Sequence, residues 1–321
     1  MADRTPSGTR DVLPDEMREL RELTERMRAV FDRAGYGEVY TPALEYERTF
    51  TRDGVATNGS YRLFDEHGDV LVLRSDMTVP IARLVGNRYG NSELPLRFCY
   101  FAHAYRSVRP QRGQSREFLQ AGVELIGAPG AQGTAQALTV LSDALEAAGL
   151  RRFRIGVGDQ ALYPALLDQL GVDTEVRERI QAELIAGDFV GVEREVRGLN
   201  LQGAEAELLL TVPRMRGGAE ILDDLTGPLA HAGMGMRALL DLLPERVAER
   251  VIFDFGLVRE IGYYTAAVFE IYDPAHGLPL GSGGRYDHLL GGFGRDLPAV
   301  GFALDVERVH VALAAEERER G

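Results

Sequence analysis

Two strand-like stretches that lie close together in the sequence place the strongest constraint on the fold. LRFCYFAHAYR (96–106) and REFLQAGVELIG (116–127) are both apolar and rich in residues that favour strands. The residues 107–115 that join them are too few for the crossover that parallel strands require. The sequence therefore predicts a long antiparallel hairpin with an arginine-rich loop at its tip.

The loop at the tip concentrates positive charge in an acidic chain. Arg106, Arg109, Arg112 and Arg116 lie within residues 104–118, whereas the whole chain has a formal net charge of −13. Two interpretations are open: the loop is solvated and has no specific role, or it faces an anion. Arginine can bind an anion through two parallel hydrogen bonds.

The composition excludes several classes of protein. The 321 residues suit one large domain or two ordinary ones, and no apolar run approaches the ~18–20 residues that cross a bilayer. The N-terminal stretch lacks the apolar segment of a secretory signal. The acidic balance argues against a non-specific nucleic-acid binder, which needs a broad basic face. We therefore expect a globular protein that neither crosses a membrane nor coats nucleic acid.

Residue usage also narrows the chemistry. All 36 basic residues are arginine, which excludes a P-loop and covalent catalysis by lysine. A single cysteine, Cys99, excludes an internal disulfide and a cysteine-cluster zinc site. The six histidines are scattered, without the close spacing of a zinc motif. We expect no metal, no cofactor and a reducing, cytoplasmic setting.

Periodicity divides the chain into two kinds of segment. Apolar residues at steps of three and four predict a helix over 14–34, and strand-forming residues around a turn predict a hairpin over 61–74. Short helical segments separated by Gly and Pro occupy 159–248, and strand-like segments resume after them. The predicted class is α+β, with a core formed by residues 1–158 and 249–321 and a helical insertion between them.

Three motifs have an ordinary structural explanation. GVGDQA (156–161) fits the Gly-x-Gly-x-x-Ala dinucleotide pattern, but the strand–helix alternation of that fold is missing around it, which argues against a cofactor site. Asp76 and Thr78, in LRSDMT, could bind an ammonium group, but both residue types are also favoured at a helix N-terminus, and the cap is the favoured interpretation. The glycines of GSGGRYDHLLGGFG (281–294) are typical of a turn.

Side chains on the second strand of the long hairpin indicate a ligand or an internal ion pair. Gln120 and Glu124 are four residues apart and so share a face of the strand. A carboxylate among apolar residues is costly unless it is paired, so Glu124 needs a cationic partner, either an arginine or a ligand. Arg259, Tyr263 and Tyr264 lie together in LVREIGYYTAAVFE, although isolated tyrosines are usually core or interface residues.

Taken together, these motifs resemble the catalytic core of class II aminoacyl-tRNA synthetases, specifically the histidyl branch, over nearly the whole chain. PSGTRDVLP (6–14) is similar to the opening signature of that branch, and YTPALE contains Pro42, the dimer-interface proline of the first class II motif. YRSVRPQRGQSREFLQAGVE resembles the second motif, with Arg106 as its phosphate-binding arginine. REIGYYTAAVFE resembles the histidyl signature, with Arg259 as its catalytic arginine. GGRYDHLLGG and AVGFALDVERV resemble the glycine turn and the third motif, with Arg308 as the arginine of that motif.

The resemblance implies a site for free L-histidine. The positions at which the family holds histidine are here Asp76, Thr78, Gln120, Glu124, Tyr263 and Tyr264, with Arg106 or Arg259 facing the carboxylate. The polar groups agree, because an ammonium group suits an acid, a hydroxyl and an amide, and an imidazole offers a donor to a carboxylate. The arginine-rich loop would then derive from a hairpin that holds nucleotide phosphates.

Departures from the synthetase pattern bear on function. Val108 stands where the family has a glutamate that helps to hold ATP, and Asp305 stands where it has a glycine. Valine accepts no hydrogen bond, and the charge of Asp305 would repel phosphates. The usual Pro-Glu-Gly is Ser-Asp-Met at 75–77, while Glu260 and Gly262 replace a glycine and an aspartate. The sequence ends after the third motif, so we expect no anticodon-binding domain.

These departures are similar to those of a known paralogous family, the regulatory subunits of ATP phosphoribosyltransferase. The resemblance implies a chain without catalysis of its own that pairs with itself and with a short form of the transferase. It would bind no tRNA and would link histidine allosterically to the first step of histidine biosynthesis. The alternative is a histidine-activating enzyme that forms an aminoacyl-adenylate or aminoacylates. A histidine sensor with another partner is a third interpretation.

Overall fold

The computed structural model describes residues 5–51, 59–107, 115–259 and 262–320. Its helices are α1 (Pro14–Arg33), α2 (Glu47–Thr51), α3 (Thr78–Arg88), α4 (Gly130–Ala148), α5 (Leu162–Gln169), α6 (Thr174–Ala186), α7 (Phe189–Arg197), α8 (Gly203–Thr211), α9 (Ala230–Leu242), α10 (Glu245–Ala248) and α11 (Val306–Arg320). Its strands are β1 (Gly37–Glu38), β2 (Leu44–Tyr46), β3 (Arg62–Phe64), β4 (Val70–Leu73), β5 (Leu96–Tyr105), β6 (Glu117–Ile126), β7 (Arg154–Asp159), β8 (Arg216–Gly217), β9 (Val251–Asp254), β10 (Ala267–Asp273), β11 (His276–Arg285) and β12 (Ala299–Asp305). Short 3-10 helices span Val212–Arg214, Ala219–Leu222, Gly227–Leu229 and Leu289–Phe293.

The first helix forms where its periodicity predicts it. Pro14 starts α1, since a proline loses no helical hydrogen bond in the first turn, and Asp15 and Glu16 follow at the positive end of the helix dipole. The residues that the helix buries recur at steps of three and four: Leu20, Leu23, Met27, Val30 and Phe31. That apolar stripe packs against α4, α11 and β6.

The described strands form two sheets that are mainly antiparallel. Nine strands pair in the order β1-β5-β6-β12-β11-β10-β7-β9-β8, and three pair in the order β2-β4-β3. The β1–β5 and β7–β9 pairs are parallel. The long hairpin is β5–β6, with Leu96 opposite Ile126 and Tyr105 opposite Glu117, and its tip at 108–114 lies outside the described residues. The α+β prediction and the predicted hairpins are confirmed.

The prediction of a turn at residues 281–294 is wrong for the first part of that stretch, which forms the end of β11. Gly281 and Gly283 lie opposite Leu304 and Phe302 of β12. A Cβ at Gly283 would overlap the carbonyl oxygen of Gly301. These glycines therefore let neighbouring strands approach closely, which a composition typical of turns does not reveal.

The large sheet carries helices on one face and the candidate site on the other. α1, α4 and α11 pack against β6, β11 and β12. Because side chains alternate along a strand, Cys99 and Val123 point into this helical layer, whereas Tyr100 and Ile126 point to the other face, where α3 packs. Gln120 and Glu124 are an even number of residues from Ile126 on β6, so their side chains point to the same face, on which α3 packs.

Between β7 and β9 the chain runs through α5–α10 and the short strand β8, which pairs with β9 at the edge of the sheet. The division into a core and an insertion at 159–248 stays a prediction. The glycines of GVGDQA lie inside β7, where a Cβ at Gly158 would come 2.6 Å from the Asp254 carbonyl oxygen. Within the described ranges, the helices are all too short or too polar to cross a membrane.

Candidate functional site

Glu124 lies near the end of β6, on the face of the sheet that is turned away from α1, α4 and α11. It is almost fully buried, with 1% of the residue exposed. Gly301 of β12 is its neighbour across the strand pair, and a Cβ at Gly301 would overlap the Glu124 carboxylate. The glycine therefore leaves the space that the acid occupies.

Two hydroxyl groups donate hydrogen bonds to Glu124. Thr78 Oγ1 lies 2.8 Å from Oε1, and the Tyr286 hydroxyl bonds to Oε2. Burial raises the pKa of Glu124 to about 8, and the bonds from Tyr286 and Thr78 offset this only in part. In the described part of the chain no arginine forms an ion pair with this carboxyl group, whose hydrogen-bond donors are the two hydroxyl groups. A cationic or donating ligand would stabilise the ionised form.

Asp76 and Thr78 lie at the start of α3. Asp76 lies one residue before the N-cap, Met77, and its Oδ1 accepts a hydrogen bond from the Val79 N–H of the first turn at 3.1 Å, as the helix-cap interpretation predicts for its side chain. Thr78 instead turns its hydroxyl to Glu124. Burial raises the pKa of Asp76, while the bond from Val79 and the charge of Arg106 lower it. The start of α3 thus brings one carboxylate close to an arginine and one hydroxyl onto the buried acid.

A cleft of about 270 Å³ lies on the same side of the sheet. Its lining includes the three arginines Arg106, Arg259 and Arg308 together with Gln120, Ser282 and Asp305. Gln120 is 6% exposed, and its Oε1 has no hydrogen-bond partner among the described residues. Because an unpartnered buried acceptor is costly, this oxygen indicates a donor, such as an ammonium group, that a ligand would bring.

The protein already holds the first two arginines of the cleft in place. Arg106 donates from Nε to the Ser75 carbonyl oxygen at 3.2 Å, and its guanidinium carbon lies 5.0 Å from the centre of the Phe118 ring. Arg259 forms an ion pair with Glu270, which is 6% exposed. The Arg259 guanidinium group is therefore held by a buried acid, whereas exposed Arg106 is held by one hydrogen bond and the Phe118 ring.

Asp305 holds the third arginine. Its Oδ1 accepts a hydrogen bond from the Arg308 N–H at 3.1 Å in the first turn of α11, and its Oδ2 lies 3.0 Å from Arg308 Nε. Arg308 also donates to the Pro279 carbonyl oxygen at 2.8 Å. Burial raises the pKa of Asp305, and the charge of Arg308 lowers it. The acid that replaces the glycine of the class II motif thus neutralises the arginine of that motif.

Three tyrosines form an aromatic wall beside Glu124. The rings of Tyr263 and Tyr264 lie 5.0 Å apart at 66°, and those of Tyr263 and Tyr286 lie 5.8 Å apart at 73°. A Cβ at Gly284 would come 2.8 Å from the Tyr264 ring, so the missing side chain makes room for it. Burial raises the pKa of Tyr263 and of Tyr286, so both hydroxyls stay protonated and can donate.

The structure places the predicted site residues in two groups. Thr78, Tyr263 and Tyr264 lie around the buried carboxyl group of Glu124. Arg106, Gln120 and Arg259 line the cleft, and Asp76, at the start of α3, is close to Arg106. Val108, Arg109, Arg112 and Glu260 lie outside the described residues.

Sequence reasoning missed Tyr286 and Glu270 as site residues. Tyr286 belongs to the GGRYD motif, which was interpreted as a turn, and Glu270 ends TAAVFE, where an acid among apolar residues was a signal of the same kind as Glu124.

The arrangement suits a small zwitterion that also carries a polar side chain. Acid and amide oxygens can accept from an ammonium group, arginine can receive a carboxylate, and the buried Glu124 can meet a second donor. Within the described ranges, no group of three His, Cys, Asp or Glu side chains could hold a metal ion. These donors and acceptors could hold a small amino acid.

Comparison with known proteins gives similarity over nearly the whole chain. A family model described as Histidyl-tRNA synthetase matches residues 8–309. A protein of Symbiobacterium thermophilum named ATP phosphoribosyltransferase regulatory subunit is 41% identical, over 98% of this chain and 80% of that protein. A structure from Bacillus halodurans, described as an ATP phosphoribosyltransferase regulatory subunit/histidyl-tRNA synthetase, is 34% identical with a TM-score of 0.89, over 97% of this chain and 83% of that one. A structure from Alicyclobacillus acidocaldarius, described as a histidine–tRNA ligase subunit, is 32% identical with a TM-score of 0.82, over 99% of this chain and 98% of that one.

Proposed function

The chain belongs to the family of ATP phosphoribosyltransferase regulatory subunits, which have the fold of histidyl-tRNA synthetase, and we propose that it regulates an ATP phosphoribosyltransferase without catalysis of its own. In this role it couples free histidine to the first step of histidine biosynthesis, in the cytoplasm. The observation that carries the proposal is the similarity, over 98% of the chain, to proteins that bear this name.

The ion pairs that Arg259 and Arg308 form within the protein support the absence of catalysis. A nucleotide triphosphate carries several negative charges and needs uncompensated positive charge around it. Here Arg308 is paired with Asp305, and Arg259 is paired with Glu270. A cleft in which two of the three arginines carry their own counter-charges suits a zwitterion better than a polyphosphate.

The ligand of this regulator is free L-histidine, and two features support it. Gln120 and Asp76 offer oxygens to the ammonium group, while Arg106 or Arg259 receives the carboxylate. The buried Glu124 then meets the imidazole N–H, beside the tyrosine wall. Histidine regulates only if it binds one state of the complex better than another. A difference of about 1–3 kcal/mol in its binding free energy to the two states is sufficient.

The partner is the catalytic subunit of a short-form ATP phosphoribosyltransferase, and tRNA is not a ligand. The names of the relatives support this partner. Mixing the two purified proteins tests the proposal, because a larger species should appear by light scattering. Full, histidine-sensitive transfer should appear only in the mixture.

The chain also pairs with itself through the face around Pro42. Pro42 is exposed, and the neighbouring small sheet presents large apolar side chains to solvent. Tyr40 is 81% exposed and Phe64 is 75% exposed, with Leu44 and Leu63 also exposed. Exposed apolar side chains gathered in one small part of the surface in this way are typical of an interface.

A histidine-activating enzyme is the second candidate. It is favoured by the retention of Arg106, Arg259 and Arg308 in one cleft, and by the similarity to the Alicyclobacillus protein described as a histidine–tRNA ligase subunit. Pyrophosphate exchange that depends on histidine separates the two candidates, since only an enzyme that forms an adenylate gives it.

A further inference from the structure

Arg259 is held at its backbone by a residue of the GVGDQA stretch. Gln160 follows β7, and its side-chain Oε1 accepts a hydrogen bond from the Arg259 N–H at 3.0 Å, while its Nε2 donates to the Arg259 carbonyl oxygen at 3.4 Å. The backbone N–H of Gln160 is itself bonded to the Ala266 carbonyl oxygen at 2.9 Å, just before β10. One amide side chain thus fixes both polar backbone groups of Arg259.

The guanidinium group of Arg259 is held by two neighbouring strands. Glu270 of β10 and Ser282 of β11 lie directly opposite each other in the sheet. Glu270 forms the ion pair with Arg259, and Ser282 Oγ lies 3.3 Å from Nη2. Glu270 is almost fully buried and also accepts a hydrogen bond from the Tyr272 hydroxyl. A buried carboxylate without a cation would be costly, so the position of Glu270 favours one position of Arg259.

These contacts leave the guanidinium group able to bind a ligand. The ion pair and the serine contact use one N–H on each terminal nitrogen, and a guanidinium has five N–H groups in total. Ordering an arginine side chain costs free energy because the side chain loses conformational entropy. Because Arg259 is ordered in advance, a ligand does not bear that cost.

We propose that Gln160 and Glu270 are positioning residues that fix Arg259 in the cleft so that it receives the carboxylate of the bound amino acid. Gln160, just after β7, sets the backbone of Arg259, and Glu270, on β10, sets its guanidinium group. The inference rests on the proposed histidine site and adds a determinant of its specificity: the fixed Arg259 separates amino acids from amines that lack a carboxylate. GVGDQA, which resembled a dinucleotide motif, thereby has a role in the site through its glutamine.

Calorimetry with the full chain and two ligands tests this inference. Histidine carries the carboxylate, whereas histamine has the same imidazole and ammonium groups without it. Wild type should bind histidine at least tenfold more tightly than histamine, as expected for a charge-assisted hydrogen bond. Glu270→Gln should weaken histidine binding by about tenfold and change the affinity for histamine by less than about twofold. Glu270→Asp should recover part of the lost histidine affinity.

Two further variants keep the outcome clear. Gln160→Ala should reduce the preference for histidine in the same way, so the inference remains testable if Glu270→Gln does not fold. Glu183→Gln, which removes an acid of α6 that pairs with Arg194 of α7, is the matched control and should change neither affinity.

Three outcomes would overturn the positioning role: an unchanged preference in both Glu270→Gln and Gln160→Ala, tighter binding of histidine in Glu270→Gln, or equal weakening of both ligands. If wild type binds no histidine at all, the proposed histidine site itself fails, and this result differs from the other three.

Discussion

Thr78, the first residue of α3, donates a hydrogen bond to Glu124 in the middle of the large sheet, with 2.8 Å between Oγ1 and Oε1. The contact joins the start of a helix to a strand 46 residues later in the chain. Together with the bond from Tyr286 it gives a buried acid two neutral donors, and among the described residues no cation pairs with that acid. An acid in this state can bind a donor from a ligand, and this property is the basis of the predictions for histidine.

Glu124→Ala should weaken histidine binding by roughly 1–3 kcal/mol, because the variant loses a buried polar partner of the ligand. Isothermal titration of the isolated chain or of the complex measures this change. Glu183→Ala on α6, far from the cleft lining, serves as the control and should bind as wild type does. Unchanged affinity in both Asp76→Ala and Glu124→Ala would place the site elsewhere.

The stability of the unliganded chain should fall as pH rises toward 8, and Glu124 should cause part of that fall. Burial raises the folded-state pKa of Glu124 to about 8, above the value of ~4.3 in an unfolded chain. Between these pH values the folded state binds the proton and the unfolded state does not. Each pH unit of increase therefore lowers the free energy of unfolding by up to about 1.4 kcal/mol. Denaturant unfolding at pH 6 and pH 8 should show a smaller loss in Glu124→Gln, and an equal loss in both proteins would contradict the assignment.

The chain should not catalyse pyrophosphate exchange in the presence of histidine. Asp305 neutralises Arg308 at the place where a nucleotide phosphate would need positive charge. Exchange of labelled pyrophosphate into ATP, with and without histidine, is the assay. A rate clearly above background that disappears in Arg259→Ala would instead support the enzyme.

The exposed apolar side chains beside Pro42 should hold the self-dimer together. Tyr40→Glu with Phe64→Glu places two charges on that face and should give a monomer by light scattering at concentrations where wild type is a dimer. Val190→Glu is the matched control, because Val190 is 76% exposed and lies on α7. If the double variant stays dimeric, the interface lies on another face.

Local patterns predicted the parts of the fold that depend on neighbouring residues. The stripe of α1, the β5–β6 hairpin and the shared face of Gln120 and Glu124 follow from periods of 3.6 and 2. The need of Glu124 for a partner also followed from its apolar surroundings.

The sequence alone could not predict what long-range pairing brings together. Tyr286 lies 162 residues from the acid that it contacts, and Gly301 matters only because β12 pairs with β6. The same holds for Glu270, whose role depends on Arg259 reaching it from the preceding loop. The glycine-rich composition of residues 281–284 is typical of a turn, but these residues end the strand β11, where neighbouring strands pack close to the glycines.

The most direct test of the regulatory role is phosphoribosyl transfer measured against histidine in a complex reconstituted from the short-form transferase and this chain, in wild-type and Glu124→Ala forms. We expect both complexes to be active, histidine to inhibit the wild-type complex, and the Glu124→Ala complex to need at least about tenfold more histidine for the same inhibition. A short-form transferase that is equally active and equally inhibited without this chain would contradict the regulatory role.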